Sequence, residues 1–304
     1  MKLSRRTLLR NLGAVAGSAA LLGLWKPGYG ASSHPGNTRK HTARNLFGSE
    51  LKGNINHSVT RWPYGGYSLD ELCAAAKDIG IQSIELLGPD DWPVLKQHGL
   101  DCAMTNGAEL GLERGFNNPA YHDELEERYN EMIPKVAEAG FQQLICFSGN
   151  RDGMDDEEGA ENCAEGLRRI VGTAERHNVI LSMELLNSKI DHPDYQCDKT
   201  PWGVSVCDMV GSDNLKLLYD IYHMQIMEGD VIRTITDYHD YISHYHTGGV
   251  PGRNEIDETQ ELYYPAIMRA IHETGFDGYV GQEFIPTWDD PMEALAHGVQ
   301  VCDI

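Results

Sequence analysis

Four short apolar runs in this chain end on, or one residue past, a side chain that can bind a metal or carry a proton. They are residues 179–184 (V-I-L-S-M-E), 215–220 (L-K-L-L-Y-D), 242–246 (I-S-H-Y-H) and 279–284 (Y-V-G-Q-E-F), and the side chains are Glu184, Asp220, His246 and Glu283. A carboxylate at the end of a buried strand is costly unless something pairs with it. At the C-terminal end of a barrel strand, it is well placed for metal binding or catalysis. Taken singly, each has a plain structural alternative: Asp220 caps a following helix, and His223 packs in that helix's first turn. Taken together, they are separated by 36, 26 and 37 residues. Each spacing is close to one β-α unit of a barrel in which ~250 residues divide among eight units. The spacing predicts four ligands side by side on consecutive strands. Three carboxylates and one imidazole suit one divalent ion such as Mg²⁺, Mn²⁺ or Co²⁺. Structural zinc would call for thiolates, and no cysteine stands at these ends.

The elements that must position these residues are legible from residue 53 onward as short β-like runs alternating with longer amphipathic stretches. Strands are expected at 54–59, 82–87, 101–105, 143–147, 179–184, 215–220, 242–246 and 279–284. The intervening segments carry helical spacing. Ser68 with Glu71 forms a capping box that opens the first helix. Eight β-α units are the count of a single (β/α)8 TIM barrel in the α/β class. A doubly wound open sheet is the alternative, but it usually carries a glycine-rich phosphate turn after its first strand. The corresponding T-R-W-P-Y-G-G-Y at 60–67 does not fit G-x-G-x-x-G.

The N-terminus follows a different pattern. A basic start with Arg5-Arg6 precedes a weakly apolar run at 12–25 and small residues near Gly30. This predicts a twin-arginine signal over residues 1–31 and an exported protein, periplasmic or extracellular. An uncleaved anchor helix is the alternative, although the run is short for a membrane span. Residues 32–50 read as a polar linker, and 51–304 as the barrel. The twin-arginine route carries folded proteins, which accords with a metal loaded before export. The formal net charge is −21, and residues 1–31 contribute Lys2, Arg5, Arg6, Arg10 and Lys26 with no acid, so subtracting those five positive charges leaves −26. Such a surface repels nucleic acid and anionic lipid, leaving a small molecule as the expected partner. After processing no stable membrane span is expected, and a homo-oligomer stays open. Seven cysteines without a C-x-x-C read as buried thiols.

Three segments carry a family resemblance: D-I-Y-H-M-Q-I-M-E-G-D at 220–230, P-G-R-N-E at 251–255 and G-Q-E-F-I-P at 281–286. They resemble the hydroxypyruvate isomerases of the xylose-isomerase-like barrel superfamily, which also holds ketose 3-epimerases, inosose dehydratases and metal-dependent abasic-site endonucleases. The resemblance implies that Glu184, Asp220, His246 and Glu283 bind the metal. It also implies that Glu184 and Glu283 double as the acid/base pair, and that His223 and Arg253 hold the substrate's oxygens. The chain departs from the pattern twice. It reads E-L-L-N where those isomerases usually have E-P-L-N, and its third ligand position is His246, as in the epimerases, where the isomerases often have Gln.

The implied chemistry suits the residues on its own terms. Isomerising a 2-hydroxy carbonyl compound removes a proton beside a carbonyl and returns it to the neighbouring carbon through an enediolate. Two carboxylates flanking the substrate can exchange that proton, each typically contributing ~10²–10⁴-fold in rate. Arg253 would pair with a substrate carboxylate in two parallel hydrogen bonds, or else is a surface arginine after a Pro-Gly turn. The expectation is a metal-dependent isomerase of the hydroxypyruvate/tartronate semialdehyde type. A ketose 3-epimerase or another keto-sugar enzyme is the first alternative. An exported sugar- or metal-binding protein without turnover is the alternative of another class. His244, two residues before His246, reads as a second layer behind the metal or as core.

Overall fold

A computed structural model describes residues 51–304; the expected signal at 1–31 and the expected linker at 32–50 lie outside the described residues. The strands are β1 (Asn56–Thr60), β2 (Ser83–Glu85), β3 (Gln143–Cys146), β4 (Ile180–Glu184), β5 (Leu215–Asp220), β6 (Ile242–Thr247) and β7 (Tyr279–Gln282). All their pairings are parallel, in the order β2-β1-β7-β6-β5-β4-β3. The gap between β2 and β3 is filled by the segment expected as the third strand. That segment bridges Ser83 at Asp101, Leu87 at Thr105 and Leu144 at Thr105, so the sheet curls into a closed eight-position barrel.

This third staves-position is irregular for a local reason. The Cys102 N–H donates to the Asp101 side chain, and the Ala103 N–H to the Ser83 hydroxyl. Side-chain oxygens thus take donors that a regular ladder would use. The sequence pattern predicts an ordinary strand there; the structure shows single bridges.

The helices are α1 (Leu69–Ile79), α2 (Trp92–His98), α3 (His122–Glu138), α4 (Asp156–His177), α5 (Thr200–Val210), α6 (Ile221–Met227), α7 (Val231–Tyr238), α8 (Tyr264–Glu273) and α9 (Pro291–Cys302). The Ser68–Glu71 capping box is present at α1, and Gly80 ends it at φ 98°, a conformation that favours glycine. The short α6 directly after β5 is the helix that the capping alternative for Asp220 called for. None of the helices among the described residues is long and apolar enough to cross a membrane. All seven cysteines are buried and free.

One irregularity in the barrel wall positions the chemistry. Leu217 pairs with Ile242 but Leu218 pairs with His244, so Ser243 is an extra residue in β6. This bulge brings His244 beside Leu218 and His246 beside Asp220. Parallel partners share a face, so His244, His246, Asp220 and Glu184 all point into the barrel. The interior is therefore polar at several levels, with Gln143, Ser182 and Ser243 hydrogen-bonded to one another below the histidines.

Candidate metal and catalytic site

Glu184 and Asp220 are the last residues of β4 and β5, His246 lies one residue inside the end of β6, and Glu283 directly follows β7. Each has one ligand atom within 4.8 Å of the corresponding atoms of the other three, and all four residues are buried. His246 Nδ1 lies 2.9 Å from Glu283 Oε2 and 3.3 Å from Glu184 Oε1. Neither oxygen is in line for a directed hydrogen bond, so this buried nitrogen has no hydrogen-bond partner. A convergent, buried set of three carboxylates and one imidazole nitrogen fits a hard or borderline divalent ion.

Asp220 serves both readings that its position allows. Its Oδ1 accepts the His223 N–H at 3.1 Å, capping α6. Its Oδ2 faces the cluster, 3.2 Å from Arg253 Nη2. The Arg253 Nη2 also lies 2.5 Å from Glu283 Oε2. The guanidinium sits over the rings of Trp62 and Tyr222, with Cζ 5.2 and 5.4 Å from their centroids. Its side chain is only 14% exposed, which sets aside the surface-arginine alternative.

Arg253 is held by a clasp between two loops. The Ile285 N–H donates to the Arg253 carbonyl, and the Asn254 amide to the Ile285 carbonyl. Glu255 accepts from Thr287 N–H, the Thr287 hydroxyl and Trp288 N–H. These contacts hold Arg253 at φ 58°, which is sparsely populated for a non-glycine residue.

His223 is fully buried, and its tautomer follows from its neighbours. Asn187 Oδ1 accepts the N–H groups of Ile190 and Asp191. The Asn187 amide nitrogen must then be the atom facing His223 Nδ1, at 2.6 Å. His223 Nδ1 accepts that bond, which leaves the proton on Nε2. Nε2 is 3.5 Å from Asp220 Oδ2 and lacks a directed partner. Burial, with the Arg253 charge nearby, holds the His223 pKa well below the ordinary range, so it stays neutral.

The electrostatics pull the carboxylates apart. Burial pushes Asp220 up to about 8 even though Arg253 opposes it. Burial also raises Glu184, with the Glu283 charge adding to the rise. At Glu283 burial acts in the same direction, but the His246 and Arg253 charges and the hydrogen bond from Trp62 Nε1, 2.7 Å from Oε1, outweigh it and leave it well below the ordinary range. Burial opposes charging of His246, and the adjoining carboxylates, Glu283 foremost, overcome it and raise its pKa.

Sequence reasoning left out the residue behind this cluster. Glu85, the last residue of β2, is fully buried in the barrel. His246 Nε2 lies 2.9 Å from Glu85 Oε1, and His244 Nε2 lies 3.0 Å from Oε2. The Ser58 hydroxyl adds a third donor at 2.9 Å. Although burial opposes its charge, the two imidazoles bring the Glu85 pKa down to about 2. In the sequence Glu85 stands inside the expected strand 82–87, with Leu86 and Leu87 after it, so the strand-end signal that identified Glu184 did not mark it; only the structure ends β2 at Glu85. Trp62, Asn187 and His192 were likewise not assigned roles.

Beside the cluster a cavity of about 250 Å³ opens at the strands' C-terminal ends. Glu184, Glu283, Arg253 and His192 line one part of it, and Leu112 and Phe147 are among its apolar residues. A larger cleft of about 560 Å³, lined by Lys52, Arg269, His272 and Asp303 among others, lies at the opposite end of the barrel. It has none of the convergent ligands, so the smaller cavity is the candidate site.

The family described as "Xylose isomerase-like TIM barrel" matches residues 56–303. Hydroxypyruvate isomerase of Escherichia coli (strain K12) is 28% identical over 247 residues, covering 75% of this chain and 95% of the relative. The 2-oxo-tetronate isomerase of Cupriavidus necator is 29% identical over 229 residues, covering 72% of this chain and 87% of the relative. A solved structure from Brucella melitensis described as AP endonuclease, family 2, superposes with a TM-score of 0.73 at 25% identity, covering 81% of this chain and 99% of that one.

Proposed function

The chain belongs to the xylose isomerase-like TIM barrel family, and from that premise we propose that it is a metal-dependent isomerase of small 2-hydroxy carbonyl acids, of the hydroxypyruvate/tartronate semialdehyde type. The observation that carries this reading is the convergence of Glu184, Asp220, His246 and Glu283 beside the Arg253 guanidinium. The similarity to isomerases acting, by their names, on hydroxypyruvate and 2-oxo-tetronate supports it.

Glu184, Asp220, His246 and Glu283 would hold one Mg²⁺, Mn²⁺ or Co²⁺. When bound, the ion neutralises negative charge developing on the substrate's oxygens. The residues of the chain do the rest. Glu184, from β4, and Glu283, after β7, both approach His246 Nδ1, so one carboxylate can take the proton beside the carbonyl and the other return it to the neighbouring carbon. His223 offers its unpartnered Nε2–H to a substrate oxygen. Arg253 supplies the positive charge for a substrate carboxylate, with Trp62 and Tyr222 keeping its plane fixed. Leu112 and Phe147 limit water in the cavity and favour a short substrate.

His246 in place of a glutamine supports the second reading, a ketose 3-epimerase. There one carboxylate takes the proton beside the carbonyl of a neutral sugar and the other returns one to the opposite face of the same carbon. The net charge of −21 opposes a nucleic-acid substrate. The paired arginines at positions 5 and 6 motivate export by the twin-arginine route.

The test incubates the metal-loaded protein in deuterated water with hydroxypyruvate and with a panel of ketoses. Deuterium enters the carbon beside the carbonyl of the true substrate, and product follows. Glu184→Gln and Glu283→Gln lower kcat far more than they raise KM, because the lost interaction belongs to the transition state. Metal binding with neither exchange nor product from any compound would favour the binding-protein reading.

A further inference from the structure

We propose that Glu85 is the positioning residue of the metal site, fixing the ring plane and proton of His246 so that its Nδ1 lone pair faces the ion. The inference rests on the reading that the strand-end quartet holds a divalent metal. A buried carboxylate costs several kcal/mol unless its hydrogen bonds are made. Glu85 has no lysine or arginine in an ion pair with it among the described residues. Its partners are Ser58, on the neighbouring strand β1, and His244 and His246, which reach it across the barrel from β6.

Three hydrogen-bonding groups, the Ser58 hydroxyl and two imidazole nitrogens, converge on the Glu85 carboxylate, which meets all three as an acceptor. Both imidazoles therefore present Nε2–H to Glu85. That assignment leaves His246 Nδ1 as the nitrogen directed at Glu184 and Glu283. A ligating histidine commonly has its other nitrogen held this way by a carboxylate. The Ser58 hydroxyl donates to Oε2, and His244 Nε2 lies 3.0 Å from Oε2 and 3.1 Å from Oε1, so both Glu85 oxygens are held and the carboxylate cannot rotate away. Gly281 makes room for it: a Cβ there would fall 2.0 Å from Glu85 Oε1 and 3.0 Å from His246 Cδ2. The barrel wall is thus cut away where this carboxylate meets the imidazole.

The test uses the full-length chain with Mn²⁺ as probe. Calorimetry gives affinity and stoichiometry, and pulsed EPR reads the ¹⁴N modulation of a directly ligated imidazole. Glu85→Leu is similar in size and accepts no hydrogen bond. It is expected to weaken Mn²⁺ binding by about 10–100-fold and to lose the nitrogen modulation at saturating metal. Glu85→Gln keeps one acceptor and is expected to fall between Leu and the natural residue. A purely structural role would lower the unfolding temperature and leave the modulation of the folded, saturated protein unchanged, which would overturn the proposal. Binding of two Mn²⁺, one of them lost in Glu85→Leu, would also overturn it by making Glu85 a ligand. If Glu85→Leu does not fold, Ser58→Ala removes a single donor to the carboxylate and should still weaken binding by a few fold; unchanged affinity counts against the idea. Asp220→Asn separates the two levels. If it binds Mn²⁺ like the natural protein, the quartet reading fails and takes this inference with it; if it loses the metal while Glu85→Leu keeps it, only the positioning role fails.

Discussion

Asp220→Asn should make the metal-free protein more stable while abolishing its stabilisation by metal. The Asp220 side chain is fully buried, and burial raises its pKa from 3.8 to about 8. For a carboxylate raised in this way, folded-state stability is fully present below pH 3.8 and is lost as pH rises toward 8. At pH 7 the folded state must keep a proton that the unfolded chain has released. The gap of roughly 3 pH units between 3.8 and 7 corresponds to about 4 kcal/mol. Asparagine removes that cost. Its Oδ1 still accepts the His223 N–H, so the cap on α6 survives. Its amide would meet Arg253 Nη2, 3.2 Å away in the natural protein, as donor against donor. That mismatch costs about 1–3 kcal/mol, leaving a net gain of about 1–3 kcal/mol. Denaturant unfolding in a chelator at pH 7 measures it. Adding Mn²⁺ at a hundredfold excess over its Kd should stabilise the natural protein by about 2.7 kcal/mol and leave Asp220→Asn unmoved. A metal-free variant less stable than the natural protein would refute the electrostatic argument. Equal stabilisation of both by Mn²⁺ would refute the metal site.

The other predictions concern separate parts of the molecule. Asn187→Asp replaces the amide donor to His223 Nδ1 with an acceptor, so the imidazole should move its proton to Nδ1; KM should rise several-fold with the fold intact by circular dichroism. Arg253→Lys should reduce kcat/KM for carboxylate substrates more than for neutral ketoses, since lysine cannot make the paired contact; equal losses would remove the carboxylate role. His57 is buried without a hydrogen-bond partner on either ring nitrogen, and burial lowers its pKa to about 4 against the opposing Asp303 charge. Its stabilising neutral form is fully populated above pH 6.5 and its contribution falls toward pH 4, so His57→Phe should reduce the acid sensitivity of unfolding in that window by roughly 3 kcal/mol. Changing Arg5 and Arg6 together to lysine should leave the precursor in the cytoplasm, and normal processing on cell fractionation would count against twin-arginine export.

Much of this architecture is written locally. Alternation along each strand, the Ser68–Glu71 cap and the recurrence of β-α units are near-neighbour properties, so they can be read in order along the chain. The clustering of the four strand-end side chains was legible for the same reason: a barrel repeats its unit, and residues at equivalent ends come side by side. The sequence also carried the family-bearing segments around His223 and Arg253. It did not distinguish the cap role of Asp220 from its cluster role, and the structure has both on separate oxygens.

Only tertiary structure decided what stands behind and around those side chains. Glu85 lies 161 residues from His246 in the chain, and no local period connects them. The Ser243 bulge that sets His244 and His246 in register depends on how β6 pairs with β5. Asn187 fixes the His223 tautomer only because two loop N–H groups already occupy its oxygen. Arg253 reaches Asp220 and Glu283 only because Asn254 and Glu255 clasp the loop that follows β7. The third position of the barrel wall lost its regular ladder to the Asp101 and Ser83 side chains, a competition that alternation cannot register. The sequence determined which side chains come to the barrel mouth, because that follows from local periodicity. Closure of the barrel determined their partners, and with them their charges and proton positions, because hydrogen bonding and desolvation depend on groups distant in the chain.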